Sequence, residues 1–189
     1  MITRGLDAAS APLNTRPSRT LMLMSGESSA GADMQWVTRE HPKIDRVACP
    51  WLIRRFVDRE AEFLFVPPAD VRRVAQDTAA VPFDVEGVEL THDGPLCSFD
   101  AILKKYDVHD TALDELAVII RGADTARLEL APQAAGLLAI SLGLSRNFPN
   151  DHEMLEHGFV VYDALYSWSR HVRNETHTWN PQRSAVLSS

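Results

Sequence analysis

Residues 44–58 read IDRVACPWLIRRFVD, and their apolar side chains Ile44, Val47, Ala48, Trp51, Leu52 and Phe56 recur at the spacing of one helix face. Pro50 stands inside that pattern. It has no N–H to donate and crowds the preceding turn, so it is expected to kink or divide the helix. Working outward, Asp70–Ala79 and Cys97–Tyr106 also read as helices. Thr111–Gly122 carries Leu113, Leu116, Ala117 and Ile120 on one face, with Gly122 at its expected end. Ala134–Leu144 is apolar nearly all round, the pattern of a buried central helix. Asp151–Arg173 aligns Leu155, Phe159, Tyr162 and Tyr166 in a stripe behind Asp151 as expected cap. Strand signals are few. Glu62–Val66 ahead of Pro67 reads as a short strand, and Phe83–Leu90 alternates around Glu86 and Gly87 as a small hairpin.

The sum is an α+β, mainly helical domain over residues 34–173, with about five to six helices and a small β-hairpin or short sheet. Residues 1–33 are rich in Ser, Ala, Gly, Thr and Pro and are expected to form a disordered tail; residues 174–189 are expected to form a flexible one.

The chain has 189 residues, 45% of them apolar and 24% charged, so it can bury a core without needing a disulfide or metal in order to fold. No apolar run approaches the roughly 20 residues of a membrane-spanning helix, and Leu21–Met24 is too short for a signal-peptide core. The 2 cysteines, Cys49 and Cys97, suit a reducing compartment, so a cytoplasmic location is expected. A net charge of −7 argues against broad nucleic-acid binding. Of the 19 basic residues, all but Lys43, Lys104 and Lys105 are Arg, the residue suited to forked recognition of oxyanions; codon bias explains the same excess. The sequence has no P-loop, no CxxC, no GxSxG and no GxGxxG after a strand, which removes the warrant for nucleotide, dinucleotide and serine-hydrolase chemistry.

Ionisable residues gather in four places. The first is HPKIDRVACPWLIRRF, where His41, Asp45 and Cys49 follow at four-residue intervals and Arg46, Arg54 and Arg55 crowd the helix around Pro50. Two readings stand: the arginines converge on a ligand, or they pair with Asp58, Glu60 and Glu62 on a solvated face while Cys49 packs as a small hydrophobe. The second is THDGPLCSFD, with His92, Cys97 and Asp100 after the expected hairpin, where His92 either aims at a ligand or caps a turn. In the third, His109-Asp110 leads a helix to Arg121 and Asp124. That outline resembles metal phosphohydrolases only weakly, because the further His ligands are not found, and Arg121 with Asp124 reads equally well as an ion pair. The fourth, DHEMLEH, does not form a zinc helix. His152 and His157 are five apart, about 140° round the helix, and diverge.

The strings WVTREHPKIDRVACPWLIRRF, FLFVPPADV, PFDVEGVELTHDG with CSFDAIL, VIIRGADT, APQAAGLLAISLGLS and DHEMLEHGFVVYDALYSW occur in order from about Met34 to Arg170. Together they resemble the bacterial chromate-resistance domain family, the domain found at the C-terminal end of ChrB proteins. Longer members carry an N-terminal region linked to chromate-responsive regulation. The resemblance implies the stand-alone domain here and no direct nucleic-acid binding.

A chromate-linked domain needs an Arg-lined oxyanion pocket, or a Lewis-acidic or redox-active metal on His and carboxylate ligands. The resemblance therefore implies a divalent metal (Mn, Fe or Zn) on His92, Asp100 and Asp124, with His41 next. It implies a small anion such as chromate on Arg46, Arg54 and Arg121. Asp45, Cys49 and Cys97 are candidates for a supporting or redox role, although Cys49 inside an amphipathic helix is expected to be buried. Two functions follow: metal or oxyanion binding with redox detoxification, or a non-catalytic chromate or metal sensor acting through a partner. Oligomeric state is not legible.

Overall fold

The computed structural model describes residues 34–175; the expectations for residues 1–33 and for the tail beyond 175 concern residues outside that range. The described chain is α+β and mainly helical. Strand β1 (Gln35–Arg39) is the middle of a three-stranded parallel sheet in the order β2-β1-β3, between β2 (Glu62–Val66) and β3 (Val81–Pro82). Parallel neighbours need long crossovers, and helices supply them. Helix α1 (Ile44–Leu52) connects β1 to β2, and α2 (Val71–Thr78) connects β2 to β3. The central strand is covered on both sides: Trp36 enters the main helical core, while Val37 packs with Val71 and Ala80 beneath α2.

Pro50 does not divide α1. The helix runs through it and then widens, with residues Ile53–Val57 in a π turn that Asp58 closes by donating its N–H to the Ile53 carbonyl at 2.8 Å. The hairpin expected at Phe83–Leu90 reduces to a single bridge between those two residues. The Phe83 amide is already committed to the Val37 carbonyl at 3.1 Å, extending β3, and Gly87 turns the chain at φ +74.

Helices α3 (Ser98–Lys105), α4 (Thr111–Asp124), α5 (Ala134–Asn147) and α6 (Asp151–Ser167) complete the domain, α6 continuing as a π turn over Trp168–Val172. Gly122 lies inside α4 rather than at its end. A Cβ there would meet the Ala134 Cβ at 2.9 Å, so the glycine lets α5 start against α4. Asn150, not Asp151, caps α6, accepting from the amides of His152 and Glu153. Helix α5 is not the buried centre that its composition predicts. It packs on α4 and α6 along one side, burying Ala134, Leu137 and Ser141, and leaves Ile140 48% and Leu142 46% exposed.

Candidate metal centre

Three segments distant in sequence meet beside the sheet. Lys43 precedes α1 in extended backbone, and the first turn of the helix then carries Asp45 and Arg46. The chain after β3 brings Asp84 and His92, and Asp124 is the last residue of α4. One ligand atom each from Asp45, His92 and Asp124 lies within 4.8 Å of the others. His92 Nε2 stands 3.1 Å from Asp124 Oδ2, 3.6 Å from Asp45 Oδ2 and 3.6 Å from Asp84 Oδ1. The carboxylates are buried or nearly so, whereas the His92 side chain is 40% exposed and forms the side of the cluster open to water.

Helix α3 supports one wall. Its first residue, Ser98, donates its backbone amide to Asp45 Oδ2 at 2.6 Å and its hydroxyl to Asp84 Oδ1 at 2.8 Å. The other oxygen of Asp45, Oδ1, is buried with no hydrogen-bond partner. An unpaired buried carboxylate oxygen is costly. Two guanidinium groups balance Asp84: Arg39 Nη2 at 2.8 Å and Arg46 Nε at 3.3 Å, both on Oδ2.

Burial, followed by the negative charges of Asp124 and Asp84, pushes the Asp45 carboxyl well above its usual range; the Ser98 amide and the Cys97 thiol pull it back. Asp124 is pushed up by burial and then by Asp84, against the opposing pull of His92, the Asp45 amide and Arg46. Burial and the neighbouring Arg39 depress Arg46, while Asp84 supports its charge. The centre thus gathers carboxylates and an imidazole, oxygen and nitrogen donors of the kind that Mn, Fe and Zn accept, in a setting short of positive charge.

Comparison with known proteins identifies the family. The family model for the ChrB C-terminal domain matches residues 36–169. The chain belongs to that family. Protein ChrB of Cupriavidus metallidurans is 39% identical over 134 residues, which are 70% of this chain and 40% of that protein, so this chain corresponds to less than half of its relative. No solved structure matches the chain. Asp45, Asp84, His92, Ser98 and Asp124 all fall inside the matched ChrB domain.

Of the other residues singled out in the sequence, Arg46 and Cys97 border the centre, and the rest make contacts of their own. Asp100 accepts from the Cys97 amide at the start of α3 and takes a two-pronged contact from Arg121, Nη2–Oδ1 2.5 Å and Nε–Oδ2 3.0 Å. Those two candidates are therefore spent on each other. Arg54 donates to the Ala61 carbonyl at 2.6 Å and lies over the Phe63 ring, so it does not converge with Arg46. Arg46 donates to the Glu40 and Arg39 carbonyls as well as facing Asp84. His41 is exposed at φ +55, its amide on Asp151.

Cys49 and Cys97 are both buried free thiols pushed upward, first by burial and then by the charge of Asp45. They are neutral thiols at ordinary pH, which disfavours a nucleophilic or reducing role. His152 and His157 point apart, one edge-on to Phe65 and the other stacked on Phe148. Asp84 is the residue that sequence reasoning missed. It read as one position in an alternating strand, and nothing in the local pattern marks it.

Proposed function

We propose that this ChrB-type domain binds a divalent cation of the Mn, Fe or Zn class through Asp45, His92 and Asp124, and serves chromate resistance by bringing a small anion to that cation. The observation carrying this reading is the buried, unpartnered Asp45 Oδ1 on a carboxylate whose other oxygen lies 3.6 Å from His92 Nε2, itself 3.1 Å from Asp124. A buried carboxyl takes up a proton unless a cation or hydrogen bonds offset its charge, and the Ser98 amide reaches only Oδ2 of Asp45.

A bound cation would supply Lewis acidity and a positive charge to which a dianion such as chromate attaches. The protein's own groups hold and orient: Ser98 fixes Asp45, Asp124 lies against His92, and the exposed edge of His92 leaves an approach from solvent. The guanidiniums of Arg46, Arg54 and Arg121 are engaged within the fold, which favours anion binding at the cation over a direct arginine fork. With both thiols buried and neutral, the domain offers no sulfur reductant of its own. That favours a binding or sensing role over self-contained redox turnover.

Calorimetric titration of chelator-treated protein with Mn(II), Fe(II) and Zn(II) tests the reading. Saturable binding that His92→Ala and Asp124→Asn each weaken is expected. Binding unaffected by either substitution would place the cation elsewhere.

A further inference from the structure

We infer that Asp84 is a positioning residue of the Asp45–His92–Asp124 centre. Clamped by Arg39 and Arg46, it orients Ser98 and through Ser98 the Asp45 carboxylate, so that two carboxylates and one imidazole face the cation. The inference rests on the metal reading above and concerns how that site is built.

Asp84 is buried and adopts the left-handed backbone region at φ +50, which Asp tolerates better than most residues. Arg39 grips it at both ends, Nε to the backbone carbonyl at 3.1 Å and Nη2 to Oδ2 at 2.8 Å. Arg46 Nε stands 3.3 Å from the same oxygen. Oδ2 is therefore occupied by guanidinium. Oδ1 accepts the Ser98 hydroxyl at 2.8 Å, and the same serine donates its amide to Asp45 Oδ2 at 2.6 Å. His92 Nε2, at 3.6 Å, is beyond hydrogen-bond range of Asp84.

A carboxylate whose charge is offset by two guanidiniums and whose oxygens are both taken is a poor metal ligand. A carboxylate that fixes the donor orienting a ligating Asp is the usual outer partner of a metal site. Ser98 holds Asp45 Oδ2, the oxygen 3.6 Å from His92 Nε2, and leaves Oδ1 without a hydrogen-bond partner. Asp84 also cancels charge that would otherwise repel a cation, since without it Arg39 and Arg46 would stand unpaired beside the centre.

The test is a Mn(II) titration of the full chain followed by electron paramagnetic resonance, on wild type, Asp84→Asn and Ser98→Ala. Asn keeps the shape and the left-handed backbone, while Ala removes the hydroxyl and keeps the amide. Asp84→Asn is expected to weaken Mn(II) binding about ten- to a hundredfold, and Ser98→Ala to weaken it less. Both should alter the spectrum of the bound ion, which a purely structural role would leave alone. Should Asp84→Asn fail to fold, Ser98→Ala decides alone. Wild-type affinity and spectrum in both variants would overturn the positioning role. A large loss in Asp84→Asn with Ser98→Ala unchanged would make Asp84 a direct ligand and overturn it too. Absence of Mn(II) binding by wild type would overturn this inference, and absence of Fe(II) and Zn(II) binding as well would overturn the metal reading itself.

Discussion

His92 Nε2 lies 3.1 Å from Asp124 Oδ2, tying the chain after β3 to the last residue of α4 at the point where α1 begins. The contact joins an exposed imidazole to a partly buried carboxylate that burial and Asp84 already push upward. The carboxylates of the cluster repel one another, which protonation relieves and which, on the proposed reading, a bound cation would relieve as well.

The first consequence is a pH dependence with a definite sign. Asp45 and Asp124 have folded-state values raised above the ordinary 3.8, so the folded state holds their protons more tightly than the unfolded chain does. Their contribution is favourable at low pH. It is lost as pH rises past 3.8 and through the raised folded values. Asp45→Asn removes the charge and keeps an oxygen for the Ser98 amide. It is expected to stabilise metal-free protein at neutral pH by about 1–3 kcal/mol, with the gain shrinking toward acid. Denaturant unfolding at several pH values checks this; a destabilised variant at neutral pH would contradict it.

Arg121 and Asp100 separate structure from ligand binding. Arg121→Lys keeps the charge but loses the fork on a pair that also ends at the Cys97 amide. Thermal unfolding should show a loss of about 1–3 kcal/mol, while the affinity for a divalent cation stays within about twofold of wild type. An unchanged melting temperature with weakened anion binding would return Arg121 to the ligand site.

Gly158 sets how closely α6 approaches α1. A Cβ there would fall inside van der Waals contact of Val47 Cγ1, two residues from Asp45. Gly158→Ala should cost about 1–3 kcal/mol, and adding Val47→Ala should recover part of it in a double-mutant cycle. Additive losses would show that the helices are not in contact at that point.

Cys49 and Cys97, neutral and buried, should resist alkylation by iodoacetamide in the native protein and react fully in denaturant. Rapid native labelling of either would restore the thiols as redox candidates.

The helices were legible because each buries one apolar face and so repeats near 3.6 residues, and β2 was legible because two prolines stop it. Strand β1 was not. QWVTR is too short to show a period, and its pairing with β2 and β3 is fixed by contacts far along the chain. Helix α5 misled because composition reports how apolar a helix is and not how many neighbours cover it. In the site, His92 and Asp124 stood out as chemistry-bearing residues at a loop and a helix end. Asp100 and Arg121 looked similar from charge alone, and their 21-residue separation concealed that each satisfies the other. Asp84 carried no local signal, because its role comes from Arg39, Arg46 and Ser98, three residues that only the fold assembles around it.

The most direct measurement is elemental analysis of protein purified without chelators, on wild type, Asp45→Asn, His92→Ala, Asp124→Asn and the double variant His152→Ala/His157→Ala. The account predicts a divalent metal near stoichiometric with wild type and with the double variant, and strongly reduced in each of the three single variants. Wild type free of metal after supplementation, or metal retained in all three single variants, would contradict it.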